Sequence, residues 1–313
     1  MKKIIITLTK TIIAISLLGY LFSLVDWDTF LSAIKNANIF YILVSAFMAY
    51  FGIYISILKW SIFLKNYGIV ISKLKLYSIY SISAFFNNFL PTTVGGDFYR
   101  IISLNKQIPV KKKEIISSII LERGFGFLSL FPINFLLAPF YYKFLLNKSF
   151  LLIQVLIVIG FISIIFLIFK YNLLIRLKNK LIKKEFIILN KFHSLVISIS
   201  NIKSKKTLIY GFLNSIVFCL TIATARYILF LAFNIQVDFF YILLVSSIAQ
   251  IIGILPISLN SIGVNEGLSV FLFSLVGVPI EISLVVALVG RVSLIATSSL
   301  GGLFYFFDNK IKF

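Results

Sequence analysis

Six ionisable residues lie within or beside stretches of this sequence that are otherwise apolar. They are Asp97, Arg100, Glu122, Arg123, Glu266 and Arg291. An arginine or aspartate at the centre of a membrane helix costs about 2.5–3.5 kcal/mol on insertion scales, so such residues must pair with one another, line water or bind a ligand. Arginine side chains suit a phosphate group, whereas carboxylates suit a cationic group, a transferable proton or the arginines themselves.

The acids and arginines recur at matching spacings in the two halves of the chain. Asp97 precedes Arg123 by 26 residues, and Glu266 precedes Arg291 by 25. Each acid also follows a Leu-Pro dipeptide, small polar residues and glycine. This repetition favours a binding site. The alternative is that both acid–arginine sets are ion pairs that only stabilise the fold.

Proline and glycine interrupt the apolar sequence ahead of both acids. The predicted helix breaks are Pro91, Pro256 and Gly263. Non-helical backbone at membrane depth leaves N–H and C=O groups unpaired, which is unfavourable unless protein or a wet cavity receives them. We therefore predict a polar cavity where the two breaks meet near the middle of the bilayer. The amides of Gly95 and Gly96 and the neutral side chain of Asn260 would lie around it.

The elements that position these residues are predicted to be membrane helices. Of the 313 residues, 60% are hydrophobic and 13% charged, which excludes a soluble nucleic-acid-binding protein, a disordered tail protein and, with one cysteine, a disulfide scaffold. The apolar runs are continuous rather than alternating, which favours α-helices over strands. They cover residues 4–25, 39–58, 76–90, 115–140, 150–169, 208–233, 239–255, 268–278 and 282–307.

Basic segments between the apolar runs set the predicted sidedness. The segment 170–207 holds ten basic residues and the single acid Glu185. Lys59–Lys75 holds four basic residues and no acid, and Lys111–Lys113 adds a third basic patch. The positive-inside rule places these segments and both termini in the cytosol.

Counting crossings then predicts two re-entrant hairpins. Leu76–Glu114 has cytosolic segments on both sides, and Phe239–Val278 has external segments on both sides, so neither makes a net crossing. We predict an all-α, polytopic integral membrane protein with about six spanning helices and two oppositely oriented re-entrant hairpins. Residues 1–313 would form a single domain, in which halves of about 1–169 and 208–313 form an inverted repeat joined by the basic cytosolic segment.

Other chemistries are poorly represented in the sequence. It has no Gly-x-x-x-x-Gly-Lys-[Ser/Thr] sequence, so no P-loop ATPase is expected. With only Cys219 and His193 as soft ligands, we expect no metal site and no cofactor. No nucleic-acid partner is expected, because topology already explains the basic segments. Arg226, midway along the run 208–233, is a weaker further candidate for the site.

Three motifs, in this order, are similar to those of a known family. They are Leu-Pro-x-x-x-Gly-Gly-Asp-x-x-Arg at 90–100, Glu-Arg-x-x-Gly at 122–126 and Pro-x-Ser-Leu-Asn-x-x-Gly-x-x-Glu at 256–266. Together they resemble the lysylphosphatidylglycerol synthase transmembrane region, a flippase-like membrane domain, over roughly residues 5–307. The resemblance implies that the candidate residues above contribute to moving a lipid between leaflets.

The resemblance also implies a class of cargo. In bifunctional members this domain looks like the part that moves aminoacylated phosphatidylglycerol, while a soluble domain makes the lipid. Because the sequence stops at Phe313, we expect no such synthase domain and therefore no enzyme. The implied cargo is a phosphate-bearing lipid: an aminoacyl-phospholipid, a glycolipid or a polyprenyl-phosphate-linked sugar. We expect a multi-pass protein of the plasma membrane.

The leading hypothesis is a lipid flippase-like transporter. Three arginines would neutralise the phosphate: Arg100, Arg123 and Arg291. The amides of two glycines would hold it: Gly95 and Gly96. Three carboxylates would hold the arginines, bind a cationic headgroup or carry a coupling proton: Asp97, Glu122 and Glu266.

Two other functions stay open on the sequence. One is a membrane-embedded enzyme, or an accessory subunit, of cell-surface glycolipid or polysaccharide assembly. Its partner would be a glycosyltransferase or a lipid-modifying enzyme. The other is a secondary transporter for a small anionic solute, which would use the same arginines.

Overall fold

The computed structural model describes residues 2–89, 95–108, 111–177, 202, 204–255 and 257–307, and these ranges contain helices and no strand. The helices of the first half are α1 (Lys2–Ser23), α2 (Trp27–Lys35), α3 (Ile39–Asn66), α4 (Lys73–Phe89), α5 (Gly95–Gln107), α6 (Lys112–Leu128), α7 (Leu130–Leu137), a 3₁₀ helix (Ala138–Leu146) and α8 (Lys148–Leu177). Those of the second half are α9 (Lys205–Ala232), α10 (Phe239–Gly253), a 3₁₀ turn (Leu259–Ser261), α11 (Val264–Ser274) and α12 (Ile280–Phe307).

Four helical stretches in the described part of the chain are long and apolar enough to cross a membrane. They are α3, the stretch from α6 to Tyr141, α9 and α12. A fifth candidate is the pair α1 and α2, which is bent by 94° between the two helices. The prediction of an all-α, multi-pass membrane protein is therefore confirmed, whereas the predicted total of six spans stays a prediction.

Polar residues between the apolar runs fix where several helices begin. The Asp26 side chain accepts hydrogen bonds from the amides of Asp28 and Thr29 at the start of α2. Asn38 caps α3 in the same way, and Asp238 caps α10 by accepting from the amide of Tyr241 at 2.8 Å. These oxygens satisfy amides that have no partner within the first turn of a helix.

Helices α3 and α9 pack along each other in opposite directions at the centre of the molecule. The hydroxyl of Ser45 donates to the carbonyl of Ala225 at 2.8 Å. Further along, a Cβ on Gly211 would lie 2.4 Å from the ring of Phe63, so the close approach requires glycine. Because Ser45 precedes Phe63 while Ala225 follows Gly211, the two helices are antiparallel.

Two pairs of short helices occupy the places of the predicted hairpins. Helix α4 packs against α5, and we call this pair the first hairpin; α10 packs against α11, and we call this pair the second hairpin. A Cβ on Gly96 would lie 2.0 Å from the carbonyl oxygen of Ser83, so α4 and α5 are in backbone contact there. Their entry into the membrane from opposite sides stays a prediction. The breaks predicted at Pro91 and Pro256 fall outside the described residues.

One predicted boundary is wrong. The sequence placed Lys59 at the start of a cytosolic segment, whereas the structure places it within α3, with the residue only 3% exposed. The helix continues to Asn66 because Trp60, Phe63 and Leu64 pack into the core. Most of the predicted basic segment 170–207 lies outside the described residues.

Apolar side chains cover the outside of the molecule as well as its core. Trp60 and Phe230 are fully buried, whereas Phe47, Leu156 and Leu303 are each more than half exposed on the long helices. A lipid-facing surface has no reason to be polar, so this distribution fits a protein surrounded by acyl chains.

Candidate functional site

Charged side chains from three helices meet beside the first hairpin. We call this group the first charged cluster: Lys59, Asp97, Arg100, Glu122 and Arg123. Helix α3 contributes the lysine, α5 contributes Asp97 and Arg100, and α6 contributes the other two residues. Four of the five are almost completely buried, whereas the side chain of Arg123 is 44% exposed. Arg123 is therefore the member that a ligand reaches most easily.

Asp97 joins two arginines of this cluster. It is the third residue of α5, where a carboxylate also complements the positive end of the helix. One carboxylate oxygen accepts from Nε of Arg123 at 2.6 Å, and the other lies 3.4 Å from Nη1 of Arg100. The structure thus brings together the pair suggested by the 26-residue spacing.

Glu122 is surrounded by three donors. Nη1 of Arg100 lies 3.0 Å from one carboxylate oxygen. The other oxygen accepts from the hydroxyl of Tyr80 at 3.2 Å and lies 3.6 Å from Nζ of Lys59. This carboxylate is therefore fully engaged within the protein.

Arg100 is stacked between aromatic rings. The guanidinium carbon lies 4.0 Å from the centre of the Trp60 ring and 4.6 Å from that of Tyr80, distances typical of cation–π contacts. Trp60 is fixed in turn, because its indole nitrogen donates to the hydroxyl of Ser118 at 3.0 Å. Nε and Nη2 of Arg100 have no hydrogen-bond partner among the residues that the structure describes.

A second group of charges lies beside the second hairpin. We call it the second charged cluster: Arg226, Glu266 and Arg291. Glu266 is the third residue of α11, as Asp97 is of α5. Its carboxylate accepts from the backbone amide of Gly263 at 2.7 Å and from Nε of Arg291. The second acid–arginine set is therefore also an ion pair.

The break before α11 is built around a glycine. Gly263 has φ of +80°, and a Cβ there would lie 2.6 Å from Cβ of Leu17 and 3.1 Å from the carbonyl oxygen of Ala14. Helix α1 thus packs directly on the predicted break. Asn260 participates through its backbone, because its carbonyl oxygen lies 3.5 Å from Nη1 of Arg291.

Arg226 belongs to the second cluster more closely than the sequence suggested. It lies in α9 three residues before Leu229, whose Cδ1 lies 3.4 Å from the position of a Cβ on Gly290, the residue before Arg291. Among the described residues, no ion pair joins Arg226 to Glu266. Its Nη1 is buried and has no hydrogen-bond partner within the described ranges. One basic group of this cluster is therefore not neutralised.

The two predicted glycine donors differ in their surroundings. The amide of Gly96 donates to the side chain of Asn87 at 3.0 Å, and the missing side chain makes room for Ser83. Gly96 is therefore engaged inside the hairpin. Gly95 begins α5 and is half-buried.

The described candidate residues form two charged clusters, and the polar cavity near the middle of the bilayer stays a prediction. Arg226 adjoins Ala225, which is hydrogen-bonded to Ser45 of α3, whereas Lys59 lies 14 residues further along α3. At 1.5 Å per residue, Lys59 and Arg226 are about 21 Å apart along the helix axis. The sequence alone does not give the positions of the clusters along the helix axis, because these positions depend on the register between α3 and α9.

Lys59, Trp60 and Tyr80 belong to the site although the sequence does not predict them as members. Lys59 stands at the head of a series of lysines, but an apolar stretch that includes Phe63 and Leu64 continues beyond it. That continuation was the available signal. No group of three His, Cys, Asp or Glu side chains is arranged to bind a metal within the part of the chain that the structure describes.

Comparison with known proteins identifies the family. The profile described as Lysylphosphatidylglycerol synthase TM region matches residues 7–302. The chain belongs to this family. The match includes both hairpins and both charged clusters of this lysylphosphatidylglycerol synthase transmembrane-region protein. Comparison with curated proteins and with solved structures found no match.

Proposed function

We propose that this protein is a flippase-like transporter that moves a phosphate-bearing lipid between the two leaflets. The observation that carries the proposal is the presence of a carboxylate–arginine pair beside each hairpin, within a cluster that holds more basic than acidic groups. The first cluster has three basic and two acidic residues, and the second has two basic and one acidic. Each cluster therefore attracts an anion.

The exposure of the arginines supports a lipid as the anion. The side chains of Arg123 and Arg291 are 44% and 18% exposed, while the acids that hold them are buried. Both guanidinium groups are therefore accessible to a phosphate, which guanidinium groups bind through charge-assisted hydrogen bonds. The acyl chains of the lipid would stay in the surrounding bilayer.

The packing of the helices supports an inverted repeat. The corresponding helices of the two halves are α3 and α9, α4 and α10, α5 and α11, and α6–α7 and α12. When each helix is replaced by its counterpart, the packing of one half reproduces that of the other; for example, α4 packs on α12, and α10 packs on α7. Arg123 and Arg291 each follow the first residue of their helix by 11 positions. Transporters of this architecture alternate the access of their sites between the two sides of the membrane.

The remaining features of the proposal follow from the topology and the sequence. We propose that the protein lies in the plasma membrane with both termini in the cytosol, which the basic segments support through the positive-inside rule. Without a P-loop, we propose that a gradient, the membrane potential or consumption of the cargo drives transport. An enzyme that makes or modifies the lipid would be the partner, and this chain would act as a transporter rather than as an enzyme.

A vesicle assay tests the proposal. Purified full-length protein is reconstituted into phosphatidylcholine vesicles that contain phosphatidylglycerol labelled with nitrobenzoxadiazole, and dithionite then bleaches the outer leaflet. We expect the inner-leaflet label to become accessible with the natural protein. Arg123→Ala and Glu266→Gln should slow the bleaching of the inner-leaflet label at least tenfold, because each removes one half of an ion pair beside a hairpin.

Lys113→Ala is the matched control, since Lys113 is an exposed basic residue in the same helix as Arg123. It should transport the label at the natural rate. Transport by correctly inserted Arg123→Ala at the natural rate would overturn the proposal, as would a natural protein no faster than empty vesicles.

A further inference from the structure

We propose that Lys59 and Arg226 are equivalent specificity-determining residues, which give each cluster one uncompensated positive charge and select a singly charged phosphodiester. The inference rests on the proposed function and deepens it by naming the class of headgroup. A phosphodiester carries one negative charge. A phosphomonoester carries about −1.5 to −2 at neutral pH.

The two residues hold corresponding positions in the fold. Lys59 lies seven residues before the end of α3, and Arg226 lies six residues before the end of α9. Lys59 precedes Asp97 by 38 residues, and Arg226 precedes Glu266 by 40. Each half therefore contributes a basic residue, an acid at the third position of a helix and an arginine, in that order.

Both clusters have the same net charge. In the first, three basic residues less two acids leave +1. In the second, two basic residues less one acid also leave +1. An anion with one charge neutralises such a cluster, whereas a doubly charged anion leaves an excess negative charge in a medium of low dielectric constant, which is unfavourable.

The difference between the halves strengthens this comparison. Arg100 follows Asp97 by three residues, and Glu122 precedes Arg123 by one. The corresponding places in the second half hold Ser269 and Gly290. The first cluster thus has an additional arginine and an additional glutamate, which are paired with each other and together leave the net charge unchanged.

Buried donors show where a ligand oxygen is needed. Nε and Nη2 of Arg100, which is 2% exposed, and Nη1 of Arg226 have no hydrogen-bond partner among the described residues. Unpaired buried donors are unfavourable. The oxygens of a phosphodiester would satisfy these donors and supply the missing negative charge.

Binding measurements on the full chain in detergent test the inference. The probes are dihexanoyl phosphatidylglycerol, a phosphodiester, dihexanoyl phosphatidic acid, a phosphomonoester, and inorganic phosphate, all at pH 8. We expect the natural protein to bind the phosphodiester at least tenfold more tightly than either of the others. Inorganic phosphate bound as tightly as the lipid would overturn the assignment to a headgroup.

Variants that change charge in opposite directions make the test specific. Lys59→Gln and Arg226→Gln should each weaken binding of the phosphodiester at least tenfold, while Lys59→Arg and Arg226→Lys should retain it. Glu122→Gln raises the first cluster to +2 and should improve binding of the phosphomonoester at least tenfold. A loss of fold does not produce this gain. Lys65→Gln, an exposed position in the same helix as Lys59, is the matched control.

The outcomes separate this inference from the proposed function. Charge-dependent binding without transport in vesicles would support the inference and overturn the function. Transport with the same preference in Lys59→Gln, Glu122→Gln and the natural protein would overturn the inference and leave the function in place.

Discussion

Single carboxylates in this protein each hold several donors. Glu266 accepts from the amide of Gly263 and from Arg291, so it joins the backbone of a helix break to a neighbouring helix. Removing one partner of a buried ion pair costs about 3–5 kcal/mol, because the other charge stays buried without compensation. At the residue scale, the acids therefore contribute to stability and fix the positions of the arginines.

Glu266→Ala is expected to lower the free energy of unfolding by about 3 kcal/mol, because both the amide and the guanidinium lose their acceptor. Glu266→Gln should cost less, since an oxygen remains available to the amide. Thermal unfolding of the purified protein in detergent measures both. Glu114→Gln, outside the clusters, should change stability by no more than about 0.5 kcal/mol. Equal stability of Glu266→Ala and Glu114→Gln would contradict the contacts described here.

At the scale of elements, glycine contacts hold the first hairpin in place. A Cβ on Gly96 of α5 would lie 2.0 Å from the carbonyl oxygen of Ser83, and one on Gly301 of α12 would lie 2.0 Å from that of Ser81. Helix α4 is therefore in backbone contact with a helix on either side. This packing fixes the position of α5, which carries Asp97 and Arg100.

Gly96→Ala is expected to destabilise the protein by about 1–3 kcal/mol, because the added methyl group forces α4 and α5 apart. Gly160→Ala in α8 is the matched control, since nothing lies within 4 Å of that position. That control should be neutral or stabilise by up to about 1 kcal/mol through helix propensity. Thermal unfolding and the lipid-transport assay check both variants. If Gly96→Ala melts at the same temperature as the natural protein, α4 and α5 are not in contact at this position.

The helices were largely predictable from sequence because lipid-spanning segments must be long and apolar. Polar caps such as Asp26, Asn38 and Asp238 stand between these segments and mark where helices start. The ion pairs were predictable in part, since equal spacing in two halves suggested Asp97–Arg123 and Glu266–Arg291. Both pairs form.

The arrangement of the site was not predictable, because it depends on packing. Lys59 is recognisable as a buried cation only when Glu122, on another helix, is placed beside it. The separation into two clusters depends on the antiparallel register of α3 and α9, which no periodicity in the sequence encodes. The role of Gly96 in helix contact likewise depends on how closely α4 approaches.

At the scale of the whole molecule, the two clusters lie toward opposite ends of the central helix pair. Lys59 is near the last residue of α3 and Arg226 is near the last residue of α9, and the two helices run in opposite directions. A hydrocarbon core is about 30 Å thick, so we expect a backbone separation of about 21 Å along these helices to bring one cluster nearer each leaflet. This arrangement fits the proposal that the two hairpins enter from opposite sides.

Cysteine accessibility tests the direction of both hairpins. Single cysteines are introduced at the exposed outer ends of each hairpin: Lys73 and Lys106 for the first, and Phe240 and Ser274 for the second. We expect both cysteines of the first hairpin to react with a membrane-impermeant maleimide only after permeabilisation of the cells. Both cysteines of the second should react from outside, because a re-entrant hairpin returns to the side from which it enters.

The background for this experiment is Cys219→Ser, because Cys219 is buried and is the only cysteine in the chain. Asn36 and Lys65, exposed beyond or near opposite ends of α3, supply the controls for a complete crossing and should label from opposite sides. If the two ends of either hairpin also label from opposite sides, that helix pair spans the membrane. The two halves would then not have opposite orientations, and the charged clusters would not be related by an inverted repeat.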